Sequence, residues 1–104
     1  MAISMLKECK LEDLTANGFS VVIFTMDGWG ACVDLSKVLE IIDYEMPFVN
    51  IIKVHNKENR EYFQLHNVHA CPTIFFYKDG KKVGEHIGSM SENEFGKYFE
   101  QYLY

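Results

Sequence analysis

The sequence predicts an α/β fold with a mixed central β-sheet and helices on both faces. Two observations lead to this fold class: apolar strand-like runs alternate with helix-like segments, and a hairpin signal lies near the end of the chain. Strands joined through helices are most simply parallel, whereas a hairpin adds antiparallel strands. A chain of 104 residues is enough for one core and too short for two. We therefore expect residues 1–104 to form a single domain.

The first part of the chain alternates between strand and helix signals. Residues 3–8 fit a short strand or a helix equally well. Glycine after a short apolar-polar stretch is typical of a helix end, and a continuous β-branched run is typical of a buried strand. Apolar residues at helical spacing predict an amphipathic helix that stops before a proline. The predicted elements are a helix over Leu11–Asn17, a strand over Val21–Thr25, a helix over Val33–Met46, a strand over Phe48–Val54 and a short helix within "NKENREYFQL".

The last third of the chain carries stronger local signals. Asp79-Gly80 is a strong turn signal between two strands, predicted over Thr73–Tyr77 and Lys81–Ile87. Ser91 and Glu94 then form a capping box, with Met90 and Phe95 at the positions of a hydrophobic staple. The helix that follows is expected to bury four aromatic residues, namely Phe95, Tyr98, Phe99 and Tyr102.

Composition excludes several classes of partner. The net charge is −5 and the basic residues are scattered, which argues against nucleic acid. No apolar run approaches the ~20 residues that span a bilayer, and the start "MAISMLKECK" does not resemble a signal peptide. Three cysteines without a Cys-x-x-Cys pair fit reduced thiols in the cytoplasm. We expect a cytoplasmic protein without a cofactor; composition does not predict an oligomeric state.

Two cysteines lie where chemistry is plausible. Cys32 ends the stretch "FTMDGWGAC" between a predicted strand and a predicted helix, and Cys71 directly precedes Pro72. Cys9 has no such context. A free cysteine is most often a buried small hydrophobe, so each of the three also has this purely structural interpretation.

These segments resemble the thioredoxin family over nearly the whole chain. "FTMDGWGAC" is similar to the family segment Phe-x-x-x-Trp-Cys-Gly-Pro-Cys, "ACPT" resembles its cis-proline motif, and "IFFYKDGKKVGEHIG" resembles its hairpin. In the register that we prefer, Cys32 is the second cysteine, Ala31 replaces the proline, Gly30 keeps the glycine and Trp29 replaces the attacking cysteine. A shifted register matches Trp29 to the family tryptophan. Neither register restores a dithiol.

The resemblance implies a thioredoxin fold whose reductase chemistry is lost or altered. In the family, an exposed thiolate at a helix N-terminus attacks a disulfide and the second cysteine resolves the intermediate. An indole does not attack sulfur. Ile23 also occupies the place of a buried family aspartate, whereas Lys53 matches the lysine that accompanies it.

The resemblance also implies a groove for a protein or an extended peptide. A cis bond before Pro72 would turn the backbone of Cys71 outward, where it can pair with an added strand. The predicted groove residues are Trp29, Gly30, Ala31, Cys71, Pro72 and Gly88. In this fold the two loops face each other, so Cys32 and Cys71 are also candidate catalytic residues, which form either a substitute dithiol or two structural thiols.

The motif "HNVHAC" suggests a metal site at His66, His69 and Cys71, and His69 is also a possible base for Cys71. A structural zinc site needs four ligands, and no second pair has suitable spacing. We therefore predict no metal. Two functions remain open: a thioredoxin-like binding module with one active-site thiol, and an atypical thiol-disulfide oxidoreductase that uses Cys32, Cys71 or both.

Overall fold

A central β-sheet, with helices packed on it, forms the framework of this protein. The structure is a computed structural model that describes residues 3–5, 10–26, 28 and 30–102. Its strands are β1 (Ile3–Met5), β2 (Phe19–Thr25), β3 (Asn50–His55), β4 (Thr73–Lys78) and β5 (Lys81–Ile87). Its helices are α1 (Leu11–Leu14), α2 (Gly30–Glu45), α3 (Arg60–Leu65) and α4 (Glu92–Tyr102). The described strands form one sheet in the order β1-β3-β2-β4-β5.

The sheet is mixed, as the sequence predicts. Strand β3 lies parallel to β1 and β2, whereas β4 lies antiparallel to both β2 and β5. The simple rule that helix-joined strands are parallel therefore fails at β4, which follows α3 and yet runs against β2. Because β3 is parallel to β2 and β4 is antiparallel to it, the connection through α3 joins two strands of opposite direction and is not a parallel crossover.

Helices cover both faces of the sheet because alternate strand residues point to opposite sides. On one face, Val21 and Ile23 share a buried cluster with Leu35 of α2 and Phe95 of α4. On the other face, Val22 and Phe24 pack with Leu11 of α1 and Phe63 of α3. Every residue of β2 is buried, which confirms the prediction of a strand covered on both faces.

The hairpin and the last helix form as their local signals predict. Asp79 and Gly80 have φ values of 49° and 85°, which is the left-handed backbone of a two-residue hairpin turn. The amide of Ser91 donates to Oε1 of Glu94 and the amide of Glu94 donates to Oγ of Ser91, both at 3.2 Å. This capping box is therefore confirmed.

Several element boundaries differ from the sequence prediction, among them the start of β2 at Phe19, two residues earlier than Val21. Helix α1 ends at Leu14 rather than Asn17, and the amide of Gly18 is bound by the carboxylate of Asp79, far along the chain. Strand β3 begins at Asn50, two residues later than predicted, because the amide of Val49 still closes a turn onto Met46. Helix α2 starts at Gly30, three residues earlier than Val33.

Two further predictions concern the segment of residues 3–8 and the aromatic residues of α4. The ambiguous segment 3–8 contains a strand at Ile3–Met5, and its remainder lies outside the described residues, as does Cys9. In α4, Phe95 and Phe99 are buried as predicted, whereas Tyr98 and Tyr102 are only partly buried because they pack at the rim of the cluster.

Candidate functional site

The candidate site lies where β2 ends and α2 begins. In the antiparallel β2–β4 pair, Phe24 is opposite Thr73. The residues just before Thr73 therefore lie beside the residues just after Phe24. This register brings the Cys71–Pro72 segment next to the connection that leads into α2, as the sequence resemblance implies. Of that connection, Asp27 and Trp29 lie outside the described residues.

Cys32 lies in the first turn of α2 and is buried, with 5% of its surface exposed. It borders a cavity of about 90 Å³ that Met26 and Lys53 also line. Before it, Gly30 is exposed and Ala31 is half-buried. A thiol in this position is poorly accessible to the disulfide of a folded protein, because thiol exchange requires direct approach of sulfur to sulfur.

Cys71 is half-buried, and its thiol is free, as is that of Cys32. Burial raises the pKa of the Cys71 thiol, and the charge of an ionised Cys32 raises it further. Desolvation acts in this direction because it disfavours the charged thiolate. Cys71 is thus mostly protonated, and weakly nucleophilic, at neutral pH.

The loop around Pro72 is held by short hydrogen bonds. The Cys71–Pro72 peptide bond is cis, and Pro72 is buried. The carbonyl of Pro72 accepts a bond from the amide of Gly88 at 2.8 Å, and Oγ1 of Thr73 donates to the carbonyl of Ala70 at 2.7 Å. Within the described part of the chain, neither the amide nor the carbonyl of Cys71 has a hydrogen-bond partner. The backbone of Cys71 is therefore available to a ligand.

Large apolar side chains stand exposed on the elements that flank the two motifs. Met26 after β2, Val33 in α2 and Ile87 at the end of β5 are 41%, 47% and 64% exposed. Ile87 is directly opposite Thr73 in the β4–β5 pair, so it flanks the cis-proline loop. Sequence reasoning missed these three residues as site residues. The available signal was their position at the ends of elements that flank the two motifs.

Ile23 and Lys53 are directly opposite each other in the β2–β3 pair. Ile23 is packed in the apolar cluster against α2 and α4. Nζ of Lys53 donates to Oγ of Ser36 at 3.2 Å. The ammonium group therefore has a hydroxyl partner on α2, and the position opposite Lys53 holds no acidic group that could relay a proton to Cys32.

The two histidines of "HNVHAC" lie in different surroundings. The His66 ring stacks on Tyr62 and meets Phe75 edge-on. Its Nε2 is buried without a hydrogen-bond partner among the described residues. Burial lowers the pKa of His66, and the positive charge of Lys82 lowers it further. His69 is exposed. Within the described ranges, no three His, Cys, Asp or Glu side chains are grouped as metal ligands.

Comparison with known proteins places these features in a family. The family model described as Thioredoxin matches residues 6–101. The chain is 29% identical over 86 residues to a thioredoxin of Chlamydia trachomatis, covering 83% of this chain and 84% of that protein. It is 28% identical over 105 residues to a thioredoxin of Staphylococcus saprophyticus, covering 99% of this chain and 100% of that protein.

Solved structures agree with the sequence comparison. The structure of a mutant thioredoxin from Halobacterium salinarum superimposes with a TM-score of 0.84 and 26% identity, covering 96% of this chain and 88% of that chain. The predicted thioredoxin fold is therefore confirmed. Among the described helices, none has the length and apolarity needed to cross a membrane. Over almost its whole length, this chain belongs to the thioredoxin family.

Proposed function

We propose that this protein is a thioredoxin-like binding module that has lost, or strongly altered, two-cysteine disulfide reduction. It keeps a groove for an extended segment of a protein partner and a single active-site thiol, Cys32. The burial of Cys32, in a chain without a Cys-x-x-Cys pair, is the observation that carries the proposal. Reduction of a disulfide needs an accessible thiolate that attacks first and a second thiol that resolves the mixed disulfide. In this protein Cys32 can take the part of the resolving thiol, but no cysteine stands at the position of the attacking thiolate.

The groove consists of the loops on either side of the cis-proline bond. We assign to it Trp29, Gly30, Ala31, Cys71, Pro72 and Gly88. The open amide and carbonyl of Cys71 support this assignment, because an extended peptide binds a sheet edge or loop through such backbone groups. The exposed apolar side chains of Met26, Val33 and Ile87 add surface that a partner can bury.

Insulin reduction by dithiothreitol tests the loss of reductase activity. We expect the wild-type protein to accelerate precipitation of the insulin B chain little more than dithiothreitol alone, because Trp29 has no nucleophilic sulfur. Turnover comparable to that of a Cys-Gly-Pro-Cys thioredoxin under the same conditions would show that the proposal is wrong.

A second function remains a candidate because the charge of Cys32 contributes to raising the pKa of Cys71, as expected of two neighbouring thiols. In an atypical oxidoreductase, the Cys71 thiolate would attack a substrate disulfide, form a mixed disulfide and release one substrate thiolate. Cys32 would then attack Cys71, release the second substrate thiolate and leave a Cys32–Cys71 disulfide, so that two electrons pass to the substrate. Mass spectrometry after mild oxidation distinguishes the two functions, since only the oxidoreductase requires this disulfide to form.

We also propose that residues 1–104 act as one domain and that the protein works in the cytoplasm. One family match that spans residues 6–101 supports the single domain. The free thiols of Cys32 and Cys71 support a reducing compartment. Fractionation of cells that produce the tagged protein would test the location.

A further inference from the structure

Helix α2 carries a line of exposed side chains along its outer face. The four members of this line are Val33, Lys37, Glu40 and Tyr44. Val33 is 47% exposed and Tyr44 is 88% exposed. At about 100° per residue, the four side chains lie within about 60° of one another around the helix axis. They therefore form one stripe, about 17 Å long at 1.5 Å per residue, which we call the α2 stripe.

The α2 stripe faces away from the core. The same helical spacing places it on the side of α2 opposite to the buried residues, which are Cys32, Leu35, Leu39 and Ile42. Ile41 borders the stripe and is 39% exposed. None of the described residues of α4 is a large exposed hydrophobic residue. Exposed apolar side chains that are aligned on one face, as on α2, mark an interaction surface more often than isolated ones do.

The two charged members of the α2 stripe are available to another molecule. Within the part of the chain that the structure describes, Lys37 and Glu40 form neither a hydrogen bond nor an ion pair, whereas Lys82 and Glu85 pair with each other. Both side chains are exposed. An ion pair between exposed groups forms at little desolvation cost, so each of the two can receive an opposite charge from a partner.

The order of residues in the α2 stripe is complementary to itself. Its successive intervals are 4, 3 and 4 residues, so the spacing is the same from either end. If two copies of α2 pack antiparallel, Val33 lies against Tyr44 of the second copy, and Lys37 lies against Glu40 of the second copy. Each contact then occurs twice, as a two-fold axis requires. Parallel packing would instead bring like charges together.

We propose that the α2 stripe binds a second copy of this chain and forms an antiparallel two-fold dimer. The proposal goes beyond the proposed function, because it concerns association of the protein with itself. The apolar contacts at the two ends bury surface, and the central ion pairs set direction and register. The net charge of −5 on each copy opposes association, and two short helix faces bury less area than a standard interface. The expected dissociation constant is therefore on the order of 0.1 mM.

Sedimentation equilibrium of the wild-type protein and of single variants tests the dimer. The buffer contains about 0.15 M salt and dithiothreitol, so that disulfides between copies do not contribute. Lys37→Glu and Glu40→Lys should each weaken the dimer by about tenfold, since one substitution turns both symmetry-related ion pairs into repulsions. Tyr44→Ala should weaken it by a similar factor, because it removes the ring from both apolar end contacts.

An equimolar mixture of Lys37→Glu and Glu40→Lys is the decisive measurement. In the mixed dimer one copy carries glutamate at both positions and the other carries lysine at both positions. Both central contacts therefore join opposite charges again. The mixture should associate about tenfold more tightly than either variant alone.

Helix α4 supplies a matched control. Lys97 and Glu100 have the same spacing and are exposed, but Asn93 stands where the corresponding position of α2 holds Val33. Lys97→Glu and Glu100→Lys change the net charge in the same way as the two α2 variants. Each should change the dissociation constant less than about twofold, because charges far from the interface are screened by salt.

Three results would overturn the proposal. One is a wild-type protein that stays monomeric at about 1 mM. Another is a mixture that associates no more tightly than its two components. The third is an equal effect of the α4 variants, or a Glu40→Lys dimer tighter than wild type, either of which would show that net charge alone governs association. The proposed function would stand in each case, since insulin reduction tests it separately.

Discussion

The hairpin half of the protein and its site edge are built from different kinds of contact. The hairpin half comprises β4, β5 and α4. There, Phe76 is fully buried and stacks on Tyr98 with ring centroids 4.6 Å apart, and α4 begins with a closed capping box. The site edge comprises the residues from Met26 to Cys32 together with the loop at Pro72. There, the amide and carbonyl of Cys71 have no hydrogen-bond partner among the described residues, and apolar side chains are exposed.

The difference between the two regions separates stability from binding. Buried aromatic contacts and satisfied caps are the contacts whose removal unfolds a domain. Open backbone groups and exposed apolar side chains contribute little to folding and are suited to a partner. Substitutions in the hairpin half should therefore change the free energy of unfolding, and substitutions at the site edge should change binding or chemistry.

The largest expected effect is that of Phe76→Ala in the hairpin half. Removing a fully buried ring leaves a cavity among Phe19, Phe95 and Tyr98, and should lower the free energy of unfolding by about 3–5 kcal/mol. Urea denaturation followed by circular dichroism would measure it. Phe48→Ala is the matched control: this ring is 55% exposed, so the loss should stay below about 0.5 kcal/mol. Equal losses of unfolding free energy in the two variants would contradict the assignment of stability to the buried contacts of the hairpin half.

Trp29→Cys should change the chemistry of the site edge. It would create the pattern Cys-Gly-Ala-Cys, in which the introduced thiolate is favoured by the N-terminus of α2 and Cys32 is placed to resolve the mixed disulfide. Insulin reduction should rise about tenfold above wild type, and remain partial because Ile23 supplies no proton relay. The control Trp29→Ser should stay at the wild-type level. A folded variant whose new thiol neither pairs with Cys32 nor reduces insulin would show that our register is wrong.

A smaller effect is expected from Ser91→Ala, which removes the cap of α4. The amide of Glu94 would lose the hydroxyl that accepts its hydrogen bond, which should lower the free energy of unfolding by about 1 kcal/mol. Ser89 is exposed and lies outside the cap, so Ser89→Ala is the matched control. The midpoint of its thermal denaturation should stay almost the same as that of the wild-type protein. A fall in groove binding with no change in stability would contradict the separation of the two regions.

The smallest expected effect concerns pH and His66, which packs beside the loop that leads to Pro72. The pKa of His66 in the folded protein is below its ordinary value of 6.5, so folding favours the neutral ring. Its contribution to stability is complete above about pH 6.5 and is lost as the pH falls through the lowered folded pKa. The groups that face it are Lys82, which strengthens this dependence, and Glu12, which weakens it.

Urea midpoints measured between pH 7.5 and pH 5 would test this dependence. His66→Gln should reduce the slope of stability against pH in this range, whereas His69→Gln, an exposed control, should not. An unchanged slope in His66→Gln would show that other groups carry the dependence.

Features that depend on neighbouring residues were predictable from the sequence. The Asp79-Gly80 turn and the Ser91–Glu94 box need only two to four consecutive residues with defined backbone angles and side-chain donors. The buried character of β2 follows equally from its unbroken apolar run. In each case the chemistry that decides the structure lies within one short segment.

Features that depend on distant residues were predicted less well. Helix α1 was expected to continue to Asn17, but the chain turns before Gly18, whose amide is bound by the carboxylate of Asp79 at 2.8 Å. That contact joins residues 61 positions apart. No local pattern contains it, so the end of this helix required the tertiary structure.

The sequence by itself determined the thioredoxin-like succession of elements and the absence of a Cys-x-x-Cys pair, and it placed Trp29 in a segment that our preferred register matches to the attacking cysteine. Only the tertiary structure decided that Cys32 is buried and that, among the described residues, the amide and carbonyl of Cys71 have no hydrogen-bond partner. The physical reason is that burial, charge and hydrogen-bond partners depend on which segments the sheet brings together. The pairing of Phe24 with Thr73 sets this arrangement, and it joins segments far apart in the chain.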